Sequence, residues 1–375
     1  MKKILFVPDS FKGTMSSMDI CSILTQEARA VWPQVQTVSI PVADGGEGTV
    51  DAFLAAVGGE KVFVPCAGPF QEEVQGFYGR LPDRTAVVEM AAAAGLPLAG
   101  SRLQPDLAST RGVGQLIRAA LADGAKRLIL GLGGSATNDG GAGMAAELGV
   151  RFLRADGTAF LPTGGTLDQL AALEACSPLP EDVELVAMCD IGNPLCGPAG
   201  ASAVFGPQKG ADDAMVERLD RNLGHLADVA ATCLGRDLRA LPGAGAAGGM
   251  GFGVAALLGG RLQMGIETVL DTVGFDRMVR DADLVITGEG CIDSQSLRGK
   301  VVSGVARRAD AAGVPVAALV GDIGEGAEAA YGLGVSGMFS TNRVALPFHL
   351  AKPRAREDLR ATAYNLFRFL ARMGC

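Results

Sequence analysis

Histidine is nearly missing from these 375 residues: only His225 and His349 are present. A multi-histidine zinc site therefore lacks ligands, and a histidine-based nucleophilic triad has almost no candidates. Both histidines read as non-catalytic, His225 as a surface or boundary residue of a long polar helix and His349 as a loop residue. Aromatic residues make up only 5% of the chain, with a single Trp. No Cys-x-x-Cys pair occurs among the eight cysteines, whose scatter reads as reduced thiols in a cytoplasmic protein. Basic residues are outnumbered, 33 Lys and Arg against 41 Asp and Glu, for a net charge of −8 without any Lys/Arg run. That balance repels nucleic-acid phosphates and anionic membrane surfaces. The first apolar run, Ile4–Pro8, breaks at Asp9 and is too short for a signal peptide. Residues 241–260 carry no charge and reach the length of a membrane span. Eight of those twenty are glycine, so the stretch reads as a glycine-rich loop running into a buried helix.

What the chain does have is glycine, 53 residues of it, and a hydrophobic fraction of 48% with 20% charged. That composition builds cores, and the length suggests two domains. Lys3–Pro8 has the length and composition of a buried strand, and residues 16–30 follow with helical spacing behind a Ser16/Ser17 N-cap. A second strand over 36–42 leads through Asp44–Gly48 into a helix from Thr49 to Val57. This strand–turn–helix rhythm predicts a parallel sheet covered by helices. Residues 60–90 change character: three shorter strands joined by turns suggest an α+β portion and a boundary near residue 60. Further on, the pattern predicts helices over 111–123, 213–234, 300–312 and 353–373. Strands are predicted over 127–130, 150–153, 183–188, 283–287, 315–320 and 337–339. The resulting expectation is an α/β protein. Its first domain comprises 1–60 and 270–375, interrupted by a second, mixed α/β domain over 61–269.

Chemistry concentrates where predicted strands end. Gly131–Gly143, GLGGSATNDGGAG, sits between an apolar strand and a helix. Its glycines expose backbone N–H groups to a phosphate, while Ser135, Thr137 and Asn138 add donors and Asp139 a metal-directed carboxylate. Gly131-x-Gly133-x-x-Ala136 also resembles a dinucleotide fingerprint, but no ribose-binding acid ends the next strand, and no Walker A sequence occurs. Four more segments set acids, amides or a lysine after strands: 8–12, 44–48, 189–195 and 287–296. In open α/β sheets that edge binds ligands. With Lys12, Lys209 and Lys300, these carboxylates suggest Mg²⁺ and a polyphosphate.

These segments bear a resemblance to a known family. PDSFKG (8–13), PVADGGEGT (41–49), GGSATNDGGAG (133–143), CD-x-x-NPL (189–195), FGPQKGA (205–211), PGAGAAGGMG (242–251) and ITGEG-x-ID-x-QS-x-x-GK (286–300) run along the whole chain. It resembles the bacterial glycerate kinases that use ATP and D-glycerate. The resemblance implies a flavodoxin-like parallel-sheet domain and a second mixed α/β domain, with the site between them and 2-phosphoglycerate as product. A 3-phosphorylating enzyme and a kinase for another small hydroxy acid stay open, and behind them an NAD(P)-dependent oxidoreductase and a non-catalytic metabolite sensor. A homodimer is compatible with it. Two positions depart from the family: Cys291 where an Arg is frequent, and Gly192 where a Thr is frequent.

On that resemblance each residue receives a role. Asp190 or Asp293 accepts the hydroxyl proton, a choice the sequence leaves open, and Lys12 neutralises the transferred phosphate or the glycerate carboxylate. Gly133, Gly134, Ser135, Ala136, Thr137 and Asn138, with Lys209 and Lys300, hold ATP. Ser10, Asp44, Asn193, Ser294 and Gln295 receive the acceptor. Asp139 and Glu289 are the Mg²⁺ candidates.

Overall fold

The computed structural model describes residues 1–43, 45–174, 179–294 and 300–374. Of the site expectations, Asp44 and Gln295 fall outside these residues. The chain forms two compact units, one of Met1–Ala43, Ala55–Val57 and Met264–Cys375, the other of Asp44–Leu54 and Gly58–Gln263.

The strands of the first unit are Lys3–Pro8, Gln36–Ser39, Leu284–Gly288, Val316–Val320 and Val335–Ser340. All pair in parallel. Their spatial order is second, first, third, fourth, fifth, which is the flavodoxin-like order. Period-2 alternation divides the first strand between two helical layers. Ile4 and Phe6 join Ile20, Leu24, Leu359 and Phe367 from helices Ser17–Val31 and Ala355–Arg372. Phe6 and Trp32 both meet the Phe367 ring, at centroid distances of 6.4 and 5.7 Å. A separate apolar cluster joins Val302 and Ala306 of helix Val301–Ala311 to Ala318 and Val320. Helix Ser17–Val31 begins with a capping box: Ser16 Oγ accepts from Asp19 N–H, and Asp19 accepts from Ser16 N–H. Arg356 also bonds Asp19, and this pairing holds its carboxyl below the usual range.

The second unit contains a six-stranded mixed sheet. Arg261–Gln263, Glu184–Met188, Arg127–Gly131 and Thr85–Glu89 run parallel; Glu73–Arg80 and Glu60–Ala67 complete it antiparallel. Helix Arg111–Ala122 buries Val113, Leu116, Ile117 and Ala120 in its core. Helix Asp213–Leu234 adds Leu223, Leu226, Ala227 and Ala230. Fully burying each such leucine is worth about 1.5–3 kcal/mol. The long helix occupies the predicted span, opened by Asp212 accepting from Met215 N–H at 2.8 Å.

Two expectations change in detail. The strand expected near 150–153 is Arg151–Leu153, and it leaves the main sheet to pair with Ala172–Glu174 in a two-stranded ribbon. The helix expected beyond the glycines at 243–249 is not regular. Ala247, Gly248 and Gly249 are consecutively left-handed, and a wide π-type turn, Gly253–Leu257, follows. Among the described residues no helix is long and apolar enough to cross a membrane.

Candidate active site

In the second unit, Thr85–Glu89, Arg127–Gly131 and Glu184–Met188 are neighbouring parallel strands. Their C-terminal ends therefore open on one edge, and the loops that follow them lie there together. The loop after Gly131 is the densest polar feature. Gly133 N–H donates to Gly45 O at 2.8 Å, and Ala136 N–H to Ala94 O at 2.9 Å. A Cβ on Gly133 would stand 2.5 Å from Gly46 Cα, so backbone meets backbone here with no room for a side chain. Gly248 packs as closely against Thr137 and Asn138, in a left-handed conformation with φ +70°.

Polar side chains hold this loop from within the protein. Lys209 is 2% exposed, and its ammonium donates to Ser135 Oγ and to Thr137 O, both at 2.7 Å. Burial drives its pKa down to about 7, against the pull of Asp139. Asp139 is fully buried and accepts four hydrogen bonds. Thr110 N–H, Thr110 Oγ1 and Gly143 N–H reach Oδ2, and Gly141 N–H reaches Oδ1. Burial nonetheless raises its pKa. The carboxylate expected to face a metal is thus turned inward and occupied by Thr110 and by the loop itself. Asn138 Nδ2 donates to Ser202 Oγ at 3.0 Å. Among the described residues, Thr137 Oγ1 and Asn138 Oδ1 are buried without a hydrogen-bond partner. Buried polar atoms of this kind call for a ligand or water.

The other two loops on this edge differ in exposure. Asp190 is exposed just past Met188, whereas Cys189 is buried and its thiol pushed upward by that burial. Asn193 Nδ2 donates to Ala199 O at 2.8 Å, so one of its two amide N–H bonds is used inside its own loop. Glu89, which no motif singled out, is 2% exposed at the end of its strand. Its Oε1 accepts from Val50 N–H at 2.6 Å. The only sequence signal for it is one acid closing the apolar run TAVVE.

In the first unit, the strand order reverses between Lys3–Pro8 and Leu284–Gly288, the position where open sheets bind ligands. The two loops leaving that point are tied by Asp9 N–H to Gly288 O at 2.8 Å. Ser10 is half-buried and Lys12 exposed. Glu289 is 6% exposed at the end of its strand, Asp293 is half-buried and Ser294 exposed. Ser294 N–H donates to Glu325 O at 3.2 Å. Cys291 is exposed, yet burial first and then Asp293, Asp322 and Glu289 raise its thiol pKa, which disfavours the nucleophilic thiolate. Lys300 is exposed at the N-cap of helix Val301–Ala311, where its carbonyl accepts from Ser303 Oγ and Gly304 N–H.

Among the described residues no group of three or more His, Cys, Asp or Glu side chains could hold a metal ion. Mg²⁺ rarely needs one: one or two carboxylates plus substrate phosphates and water suffice. Glu289 suits that partial role better than Asp139, whose oxygens are occupied.

Residues 4–371 match the profile of the glycerate kinase family. A glycerate kinase of Bacillus subtilis is 46% identical over 369 residues, covering 97% of this chain and 96% of that protein. The glycerate 2-kinase of Escherichia coli is 43% identical, covering 90% of each. A Salmonella typhimurium crystal structure, provisionally assigned as glycerate kinase 2, superposes with a TM-score of 0.86. It is 40% identical and covers 100% of this chain and 99% of that one.

Proposed function

Because this chain belongs to the glycerate kinase family, we propose that it transfers the γ-phosphoryl group of ATP to O2 of D-glycerate. The regiochemistry rests on the Escherichia coli relative, named a glycerate 2-kinase. The observation that carries the reading is the loop over 133–138. Its small side chains, and N–H groups other than those of Gly133 and Ala136, which bond Gly45 O and Ala94 O, serve a polyphosphate, while Lys209 and Asp139 brace the loop from within. Lys209 thus assists ATP through the loop, and Asp139 keeps the loop's shape. Gly133, Gly134, Ser135, Ala136, Thr137 and Asn138 are the contacts proposed for the phosphates. Lys300 supplies further positive charge.

Phosphoryl transfer needs alignment, charge neutralisation and a base for the attacking hydroxyl. Asp190 is the first choice for that base because it is an exposed carboxylate at the strand-end edge. Asp293 is the second. Lys12, exposed beside the switch point, neutralises the transferred phosphate or the glycerate carboxylate. Ser10, Asp44, Asn193, Ser294 and Gln295 make up the proposed acceptor set. Mg²⁺, when bound with ATP, would neutralise β- and γ-phosphate charge, and Glu289 is the carboxylate proposed to orient it. Dependence on ATP favours a cytoplasmic setting.

The test is ADP release with ATP, Mg²⁺ and D-glycerate, with the product identified by phosphorus NMR. Phosphate on O2 is expected. A product on O3 corrects the regiochemistry, and ADP release only with another hydroxy acid replaces the acceptor.

A further inference from the structure

The last strand of the first unit, Val335–Ser340, ends on the same edge of its parallel sheet as Lys3–Pro8. The chain is pinned there. Thr341, 4% exposed, donates its N–H to Val320 O at 2.7 Å, and Ser340 Oγ donates to Gly321 O at 3.0 Å. It is pinned again by helix Ala355–Arg372, which enters the core through Leu359 and Phe367. Between these anchors residues 342–350 are all exposed, although Val344, Ala345, Leu346, Pro347, Phe348 and Leu350 are apolar. Phe348 alone is 63% exposed. An apolar run left in water marks a surface that has something to cover. One contact of this strap indicates what. Phe348 Cζ stands 3.7 Å from the place a Cβ on Gly13 would take, one residue past Lys12. Lys12 and Gly13 are the exposed tip of a tight turn whose ends, Phe11 and Met15, are buried. Phe11 N–H donates to Met15 O at 2.9 Å and Thr14 N–H to Phe11 O at 2.8 Å. The core thus holds the base of the turn, and Phe348 stands against its tip.

We propose that the strap over 342–350 is a water screen for the Lys12 turn, and that Phe348 is the positioning residue through which it acts. This rests on the phosphoryl-transfer reading above, in which Lys12 neutralises the transferred phosphate or the glycerate carboxylate. Water competes with the glycerate hydroxyl for the γ-phosphoryl group. Its oxygen bonds to phosphorus as the bond to ADP breaks, and inorganic phosphate forms in place of phosphoglycerate. A lid that excludes water until the acceptor is seated suppresses that loss. Apolar side chains at Val344, Leu346 and Phe348 suit the task because they offer water no hydrogen-bond partner. Keeping water out also strengthens the attraction between the Lys12 ammonium and a phosphate. Anchored at both ends, the strap can close on the turn without displacing its strand or its helix.

Phe348→Ser tests this, with Phe348→Tyr as the conservative control. The side chain is exposed, so neither variant should lose the fold. With ATP, Mg²⁺ and D-glycerate, Phe348→Ser should form about fivefold more inorganic phosphate per phosphoglycerate, with a raised glycerate KM. Phe348→Tyr should keep the wild-type ratio. One phosphoglycerate per ADP in Phe348→Ser, as in a tightly coupled wild type, would overturn the proposal. Amide hydrogen exchange gives a reading that needs no turnover. Thr14 and Met15 N–H should exchange faster in Phe348→Ser. In wild type, D-glycerate with the β,γ-methylene analogue of ATP should slow exchange over 342–350. Unchanged exchange at either place would also overturn it. Protection over 342–350 that instead grows with protein concentration, with a doubled mass in sedimentation, would assign the strap to a second copy of this chain and overturn the screen. Wild-type protein that releases no ADP with any hydroxy acid would refute the activity reading, and exchange at Thr14 would then decide the Phe348 contact by itself.

Discussion

The Lys209 ammonium lies 2.7 Å from the Ser135 hydroxyl inside a wall that leaves it 2% exposed. An enclosed ammonium is disfavoured, which is why this lysine sits near a pKa of about 7 when an unfolded one stays protonated to about 10.4. Between those values the unfolded chain binds more protons than the folded one, so folding stability from this group rises with pH. The melting temperature should climb from about pH 7 to about pH 9, and Lys209→Met should flatten that climb while raising the ATP KM. A wild-type melting temperature that is level across this window removes the argument.

Asp139→Asn separates a brace from a metal ligand. Four donors converge on the carboxylate, and an amide would turn its own N–H groups against some of them. A loss of about 2–3 kcal/mol is expected by denaturant unfolding, without a selective rise in the Mg²⁺ requirement. A stable variant that demands far more Mg²⁺ would restore Asp139 to the metal.

Two glycines in neighbouring loops should behave oppositely. At Gly133 a methyl group would press on Gly46 Cα, and Gly133→Ala should cost about 1–3 kcal/mol and most of the activity. Among the described residues, nothing lies within 4 Å of the space a Cβ on Gly192 would take. Gly192→Thr should stay within about 0.5 kcal/mol of wild type. Paired melts and kinetic assays check both, and an inert Gly133→Ala would show that the seam yields.

The proton acceptor is decided by kinetics. Asp190→Asn should lower kcat far more than it raises the glycerate KM, with Asp293→Asn weaker in kcat. The reverse ranking exchanges the two roles.

Much of this fold was legible because its signals are periodic. Strand Lys3–Pro8 and helix Asp213–Leu234 occupy the spans that apolar spacing predicts. Less visible was the segment Ala91–Ala99, two short helices that bridge to Ser135 through Gly95. A run of alanines has no period to read. Ala247 at φ +54° was equally hidden, since L-residues seldom adopt that conformation and only tertiary packing enforces it. His225, read as a surface or boundary residue, is half-buried, with Nε2 2.6 Å from Leu170 O, a partner no sequence signal names. The strand-end loops could be located from sequence because glycines and acids cluster after strands. Which way each side chain points could not: Asp139 and Asp190 are both acids in strand-end loops, and one faces in while the other faces out.

Where Gly133 lies on Gly46 and Gly248 on Thr137, main chain touches main chain. A contact of that kind has no side chain to exchange, so divergence cannot retune it by small steps. Variation is therefore left to outward-facing positions such as Gly192, and the seam itself should remain the most slowly changing part of the second unit.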